Sequence, residues 1–209
     1  ARGQKCLLIV PEQYSFETEK SLFCRMGPSF ALTVEVVSFT RLANLIFRRY
    51  GQLAGEYLTD TGRIALMNAA LEQLAGQLKL YGRHASHPDF IRQMVEQVTQ
   101  FKNSGLLPGQ LAEGAEELTD TALADKVREL SLIWEAYQAL VDRGYKDSGD
   151  DLARALELVR GTDFFAGYEI YLDGFAVSFL APERELLAEM LAHSPRVTAT
   201  LTTDRVSPL

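Results

Sequence analysis

The feature that most constrains this chain is a change of periodicity. From Thr59 to Val159 the sequence offers no good strand, while both flanks do. Near the start, Cys6-Leu7-Leu8-Ile9-Val10 is a continuous apolar run stopped by Pro11, the pattern of a strand buried on both faces of a parallel sheet. Thr33-Val34-Glu35-Val36-Val37 is β-branched and strand-like. Near the end, Glu169-Ile170-Tyr171-Leu172 is a strand that closes in Asp173-Gly174-Phe175, and Arg196 to Thr202 is β-branched and alternating. The simplest architecture is one parallel sheet, built from residues 5–10, 33–37, 169–172 and 196–202, interrupted by a helical insertion.

Helical spacing fills the rest. Phe16 to Met26 reads as a helix with Leu22 and Phe23 facing inward, broken by Gly27-Pro28. Phe39, Leu42, Ala43, Ile46 and Phe47 lie at helical spacing over Phe39 to Tyr50, with Gly51 placed for a C-cap. In the middle, Ile64, Met67, Leu71, Leu74 and Leu78 form one stripe and Ile91, Met94, Val98 and Phe101 another. A third runs through Leu123, Val127, Leu130, Ile133, Trp134, Tyr137, Leu140 and Val141, and a short fourth through Leu152, Ala155, Leu156 and Val159. Breaks fall at 82–88, 103–108 and 144–149. A last helix is expected from Pro182 to His193, proline suiting a first turn. The expected division is an α/β core over residues 1–52 and 162–209, and an all-α subdomain over 53–161.

Composition narrows the function. A 47% apolar and 10% aromatic chain of 209 residues excludes wholesale disorder. No apolar run approaches the ~20 residues of a membrane span. Two cysteines without a CxxC exclude a disulfide framework or a zinc ribbon and make a reducing cytoplasm the expected compartment. The opening Ala1-Arg2-Gly3-Gln4-Lys5 has no initiator Met and no apolar signal segment, and a strand follows at once, so an internal fragment of a longer protein is expected. The net charge of −7 argues against nucleic acid as a whole. Its distribution does not: residues 1–50 carry 7 Lys/Arg against 4 Asp/Glu, whereas 51–161 carry 11 against 17. A local cationic stripe is what phosphate binding needs. Arg48 and Arg49 themselves read as the cationic end of a helix, where the dipole favours them.

Ligands of open α/β sheets sit beyond the C-terminal ends of the strands. Here those ends carry Pro11-Glu12-Gln13, Ser38-Phe39-Thr40-Arg41, Asp173-Gly174-Phe175 and Thr202-Thr203-Asp204. Asp173, closing an apolar strand, stands where nucleotide hydrolases hold magnesium; a turn or helix cap is the equal alternative. Gly174 occupies the place of the usual hydrolytic Glu, and no GxxxxGK[ST] phosphate cradle occurs anywhere. His84, His87 and His193 lie in polar stretches without metal-pair spacing, and neither Ser38 nor Ser178 sits in a GxSxG elbow. No catalytic residue and no metal ligand is expected. Phe39 and Arg41 could stack a base and hold a phosphate, but from the residues alone Phe39 is better read as a core residue of the helix it begins.

Four segments together resemble the AddB/RexB subunit of bacterial ATP-dependent helicase–exonucleases. They are Leu8 to Phe16 with Glu19, reading LIVPEQYSF; Val37 to Ala43, reading VSFTRLA; the stretch from Lys126 to Tyr137 with Tyr145-Lys146-Asp147; and Ile170 to Phe175, reading IYLDGF. The resemblance spans essentially the whole chain. It implies a partial P-loop NTPase-like sheet (RecA-like, superfamily I helicase) carrying an all-α insertion, with the P-loop upstream of Ala1. It implies a degenerate motor that binds single-stranded DNA and contributes to recognition of the recombination hotspot Chi during double-strand break repair. The partner subunit AddA would drive translocation; ATP and Mg would belong to the parent complex, and an iron–sulfur cluster to a nuclease region outside this chain. Carried over residue by residue, Gln13, Ser15, Phe39, Thr40, Arg41 and Phe175 face the DNA, and Asp173 is the nucleotide or magnesium candidate. Asn44 departs from the family, whose members often carry an aromatic there. Two alternatives stand beside this reading: an ATP-hydrolysing motor whose P-loop was trimmed away, and a structural module that docks the partner helicase.

Overall fold

The computed structural model describes residues 5–52, 55–176 and 179–200. In chain order the elements are β1 (Lys5–Ile9), α1 (Ser15–Met26), β2 (Val34–Val37), α2 (Phe39–Tyr50), β3 (Glu56–Tyr57), α3 (Asp60–Gln73), α4 (Pro88–Asn103), α5 (Pro108–Glu117), α6 (Thr121–Val141), β4 (Tyr145–Lys146), α7 (Asp151–Val159), β5 (Tyr168–Leu172), α8 (Ala181–His193) and β6 (Arg196–Ala199). They fall into two compact units, Ala1–Leu53 with Asp151–Leu209, and Ala54–Asp150. Among the described residues no helix is long and apolar enough to cross a membrane.

The first unit is α/β. Its sheet has strand order β2-β1-β5-β6, and every neighbouring pair is parallel. The four strand segments read from the sequence therefore do share one sheet; residues 201–202 of the last segment, and with them the expected strand end Thr202-Thr203-Asp204, lie outside the described residues. Alternation along β1 sorts the core. Leu7 and Ile9 join Val37, Ile170 and Leu172 under α2, α7 and α8, where Leu42, Ile46, Phe47, Leu156, Leu186 and Met190 are buried. Val10 and Val36 face the other way, against Phe30 and the half-buried Leu22. Only that edge of α1 is covered: Phe23, expected to face inward with Leu22, is 53% exposed. The helix over 151–159 also belongs to this unit rather than to the insertion. Ala155, Leu156 and Val159 lie in the sheet core, and the Arg154 guanidinium lies 4.9 Å from the centre of the Phe47 ring.

The second unit is helical but not purely so. Glu56 and Tyr57 pair in parallel with Tyr145 and Lys146, a two-residue ladder at the unit's ends. Inside, Met67, Leu71, Ile91, Met94, Val98, Ile133, Trp134 and Tyr137 share one core, with Trp134 stacked on Phe101 at 5.5 Å. α3 ends at Gln73, before Leu74 and Leu78, although both stay buried. Two carboxylates organise the turns. Glu129 reaches from α6 to accept from the backbone N–H groups of Lys79, Leu80 and Tyr81 at 2.7–3.1 Å. Asp147, just past β4, is 5% exposed. It pairs with Arg63 of α3 and with Lys102 of α4 at 3.1 Å, and accepts from the Tyr137 hydroxyl at 3.2 Å.

Candidate nucleic-acid interface

Parallel order puts the carboxyl ends of β1, β2 and β5 side by side, because β1 lies between the other two. Three polar turns therefore meet along one sheet edge. After β1 the chain bends at Pro11 into a 3-10 turn over Glu12–Tyr14 that leads into α1. After β2 the buried Ser38 hydroxyl accepts the Arg41 N–H at 3.2 Å, capping α2. This bond fixes the start of the helix at Phe39. After β5 the Asp173 N–H continues the ladder by donating to Ile9 O at 3.0 Å. Gly174 then takes φ +77°, a left-handed conformation that a β-carbon disfavours. The glycine that follows Asp173 thus has a backbone reason. Its α-carbon faces the first turn: a β-carbon there would lie 3.6 Å from Cδ of Pro11.

The side chains expected to meet DNA divide by exposure. Gln13, Thr40 and Arg41 are exposed. Arg41 extends toward α1, its Nη1 lying 3.8 Å from Oε2 of Glu19, and both side chains stay about half exposed. Asn44 donates to Thr40 O at 3.2 Å, one turn further along α2. Ser15 and Phe39 are corrected. Ser15 is buried at 3% exposure, and its hydroxyl donates to Glu12 O at 3.0 Å, closing the turn instead of facing outward. Phe39 is 5% exposed because the first inward position of α2 falls on it. Its ring is enclosed by Phe175 and Phe179, at centroid distances of 5.8 and 5.9 Å. It offers no free face for a base. Phe175 is half-buried in the same cluster, 4.9 Å from Phe179. Asp173 is exposed, and the Thr200 hydroxyl donates to its Oδ1.

The structure adds residues that the sequence reading missed. Tyr14 and Phe16 flank the first turn with 52% and 67% exposure, so open aromatic faces stand beside Gln13 rather than at Phe39. Apolar spacing alone assigns aromatics to a core; the signal that could have found these two is their place in a turn crowded with Glu12, Gln13 and Ser15. Phe179 was equally unmarked, although it follows Phe175 by four residues. Chemically, the edge combines one guanidinium, amide and hydroxyl groups, and two open rings, a set suited to a single nucleic-acid strand.

Residues 1–208 match the family described as ADDB, N-terminal. The chain belongs to the AddB N-terminal family. Three curated relatives are each named as a subunit of an ATP-dependent helicase/deoxyribonuclease. That of Thermoanaerobacter sp. (strain X514) is 33% identical over 198 residues, covering 95% of this chain and 17% of the relative. Those of Clostridium acetobutylicum and Geobacillus kaustophilus are each 32% identical, over 95% and 98% of this chain. The chain spans 17–18% of the length of these relatives.

Proposed function

We propose that this chain is the N-terminal part of a subunit of an ATP-dependent DNA helicase and exonuclease that acts in recombinational repair of double-strand breaks. In this reading the α/β unit is a partial RecA-like, P-loop NTPase-like core with a degenerate motor. It holds single-stranded DNA at the carboxyl edge of its sheet and contributes to recognition of Chi, while the AddA partner translocates. The observation that carries the reading is the exposed constellation of Gln13, Thr40 and Arg41 on adjoining turns of that edge. Arg41 would contact phosphate or a base edge, Gln13 and Thr40 would supply hydrogen bonds, and Tyr14 and Phe16 would give the rings that Phe39 cannot.

The residues present do not by themselves fit a nucleotide triphosphate. The sequence has no P-loop, and the carboxylate of Asp173 already accepts from Thr200. In this reading ATP and Mg belong to the parent complex.

The test is the full heterodimer carrying Gln13→Ala, Thr40→Ala and Arg41→Ala together, assayed for single-strand affinity and for Chi-dependent attenuation of DNA degradation. A loss of attenuation, with single-strand binding weakened tenfold or so, is the expected result. Unchanged attenuation and affinity would refute the reading.

A further inference from the structure

The interface above leaves unused the long side of the sheet. β2 is an outer strand. Its inner side pairs with β1: the Cys6 N–H donates to Thr33 O at 2.7 Å and the Val10 N–H to Val37 O at 2.9 Å, with Cys6 opposite Val34 and Ile9 opposite Val37. In a parallel ladder, alternate residues of a strand turn both backbone groups to the same neighbour. Thr33, Glu35 and Val37 therefore face β1, and the N–H and C=O of Val34 and Val36 point outward. No backbone hydrogen bond to these groups occurs among the described residues. They open on a groove of about 620 Å³ that all of β2 lines, between the turn at Phe30–Thr33 and one face of α2.

We propose that this edge receives a fifth strand, an extended acidic segment of the same subunit. The backbone dictates an extended peptide. The outward groups of Val34 and Val36 offer alternating donors and acceptors about 7 Å apart, the two-residue repeat of a strand. The sugar-phosphate backbone of a nucleic-acid strand carries acceptors but no regular row of N–H donors for these carbonyls, so an extended peptide matches the edge better. The charges select acidic side chains. Apart from Arg41, which belongs to the DNA edge, Lys5 and Arg48 line the groove against Glu35. Glu19 is engaged by Arg41, and Lys5 and Arg48 have no ion-pair partner among the described residues. Arg48 thus has a use beyond the helix dipole. The source is the same polypeptide because the relatives are more than five times as long as the stretch matched here. A tethered segment meets the edge at an effective concentration that a separate partner lacks.

Two measurements on the full-length subunit test this, and neither depends on DNA binding. First, a photo-crosslinking phenylalanine analogue replaces Leu32, which is 78% exposed on the groove wall. The experiment uses mixed light and heavy isotopic preparations with partner and DNA present. A crosslink to an acidic segment of the same molecule is expected. A crosslink to the partner subunit, to DNA or to a second copy overturns the proposal, as does the absence of any crosslink. Second, amide hydrogen exchange is read residue by residue. Val34 and Val36 should exchange within about tenfold of the rates of Glu35 and Val37, which are bonded to β1. Fast exchange at Val34 and Val36 beside slow exchange at Glu35 and Val37 would show an open edge and sink the idea.

Discussion

The two units spend their polar groups in opposite ways. In the helical unit the distinctive charges are inside: Asp147 holds Lys102 and Arg63, and Glu129 holds a bend of three backbone N–H groups. In the α/β unit the distinctive polar groups lie at the sheet edge, and Gln13, Thr40 and Arg41 stay open to solvent. A buried charge is committed to the groups that compensate it, and removing one strands the others. An exposed one costs the fold little to keep and is free to meet a ligand. The contrast separates fastening residues from binding residues within a single chain, and each substitution below is placed to break or sharpen it.

Asp147→Ala should have the largest effect. It would leave Arg63 without a carboxylate, Lys102 with Asp150 alone at 2.7 Å and the Tyr137 hydroxyl without its acceptor, and should destabilise the helical unit by about 3–5 kcal/mol. Trp134, the only tryptophan of the chain, reports that unit, so the measurement is the urea midpoint of its fluorescence. A shift below about 1 kcal/mol would show that the cluster is incidental. Burial alone would raise the Asp147 carboxyl, but the charge of Lys102, the bond from the Gly149 N–H and the charge of Arg63 outweigh it and hold the group below its ordinary value. The sign follows. A carboxyl depressed in the folded state stabilises fully above its unfolded value near ~3.9 and loses that contribution as the pH falls through the folded value. The wild-type midpoint should therefore fall below about pH 4, and the Asp147→Ala midpoint should fall less over the same window.

Phe39→Ala should cost about 3–5 kcal/mol in the α/β unit, because the ring fills the space between Phe175 and Phe179. The measurement is thermal melting beside single-strand binding. A wild-type melting temperature with lost binding would return this ring to the DNA side and erase the distinction drawn here. Glu129→Gln comes next, at about 2 kcal/mol, since an amide keeps one acceptor but turns N–H against N–H in a bend built for a carboxylate. Denaturation followed at Trp134 checks it.

How much of this was legible in the sequence depends on how local each signal is. The sheet strands were legible because a strand buried on both faces writes a continuous apolar run, as in Leu7-Leu8-Ile9. The helix over Phe39–Tyr50 was legible because its stripe and its Gly51 end agree; the Ser38 cap that fixes its start shows only in the structure. α5 was not: it contains Gly109 and Gly114 and buries only Ala115, so it writes no stripe. β3 and β4 pair across 89 positions of sequence with two residues each, too few to alternate. At the candidate site the strand ends were legible, but exposure was not. A phenylalanine at the first position of a helix looks the same in sequence whether its ring meets a neighbour or a base, and only the packing of Phe175 and Phe179 decides it. The fourth apolar stripe, Leu152 to Val159, was read correctly as a helix and assigned to the wrong unit, because periodicity specifies a face and not the partner that covers it.

Arg41→Ala should change stability least and is for that reason the sharpest probe. The Arg41–Glu19 contact is long, at 3.8 Å, and its two side chains are 46% and 53% exposed. Such pairs contribute between nothing and about 1 kcal/mol, and the Ser38 cap survives the change because the donor is the Arg41 backbone N–H. The melting temperature should move by no more than about 4 °C. Binding should respond far more. If the guanidinium holds a phosphate, its loss lowers the slope of log affinity against log salt by about 0.7 for a single strand. If it instead reads a base edge, the slope stays while Chi-dependent attenuation falls by about 1–3 kcal/mol of discrimination, roughly five-fold or more. A melting temperature that drops as far as that of Phe39→Ala, with affinity and slope at wild-type values, would make Arg41 a fastening residue. The α/β edge would then resemble the helical interior instead of opposing it.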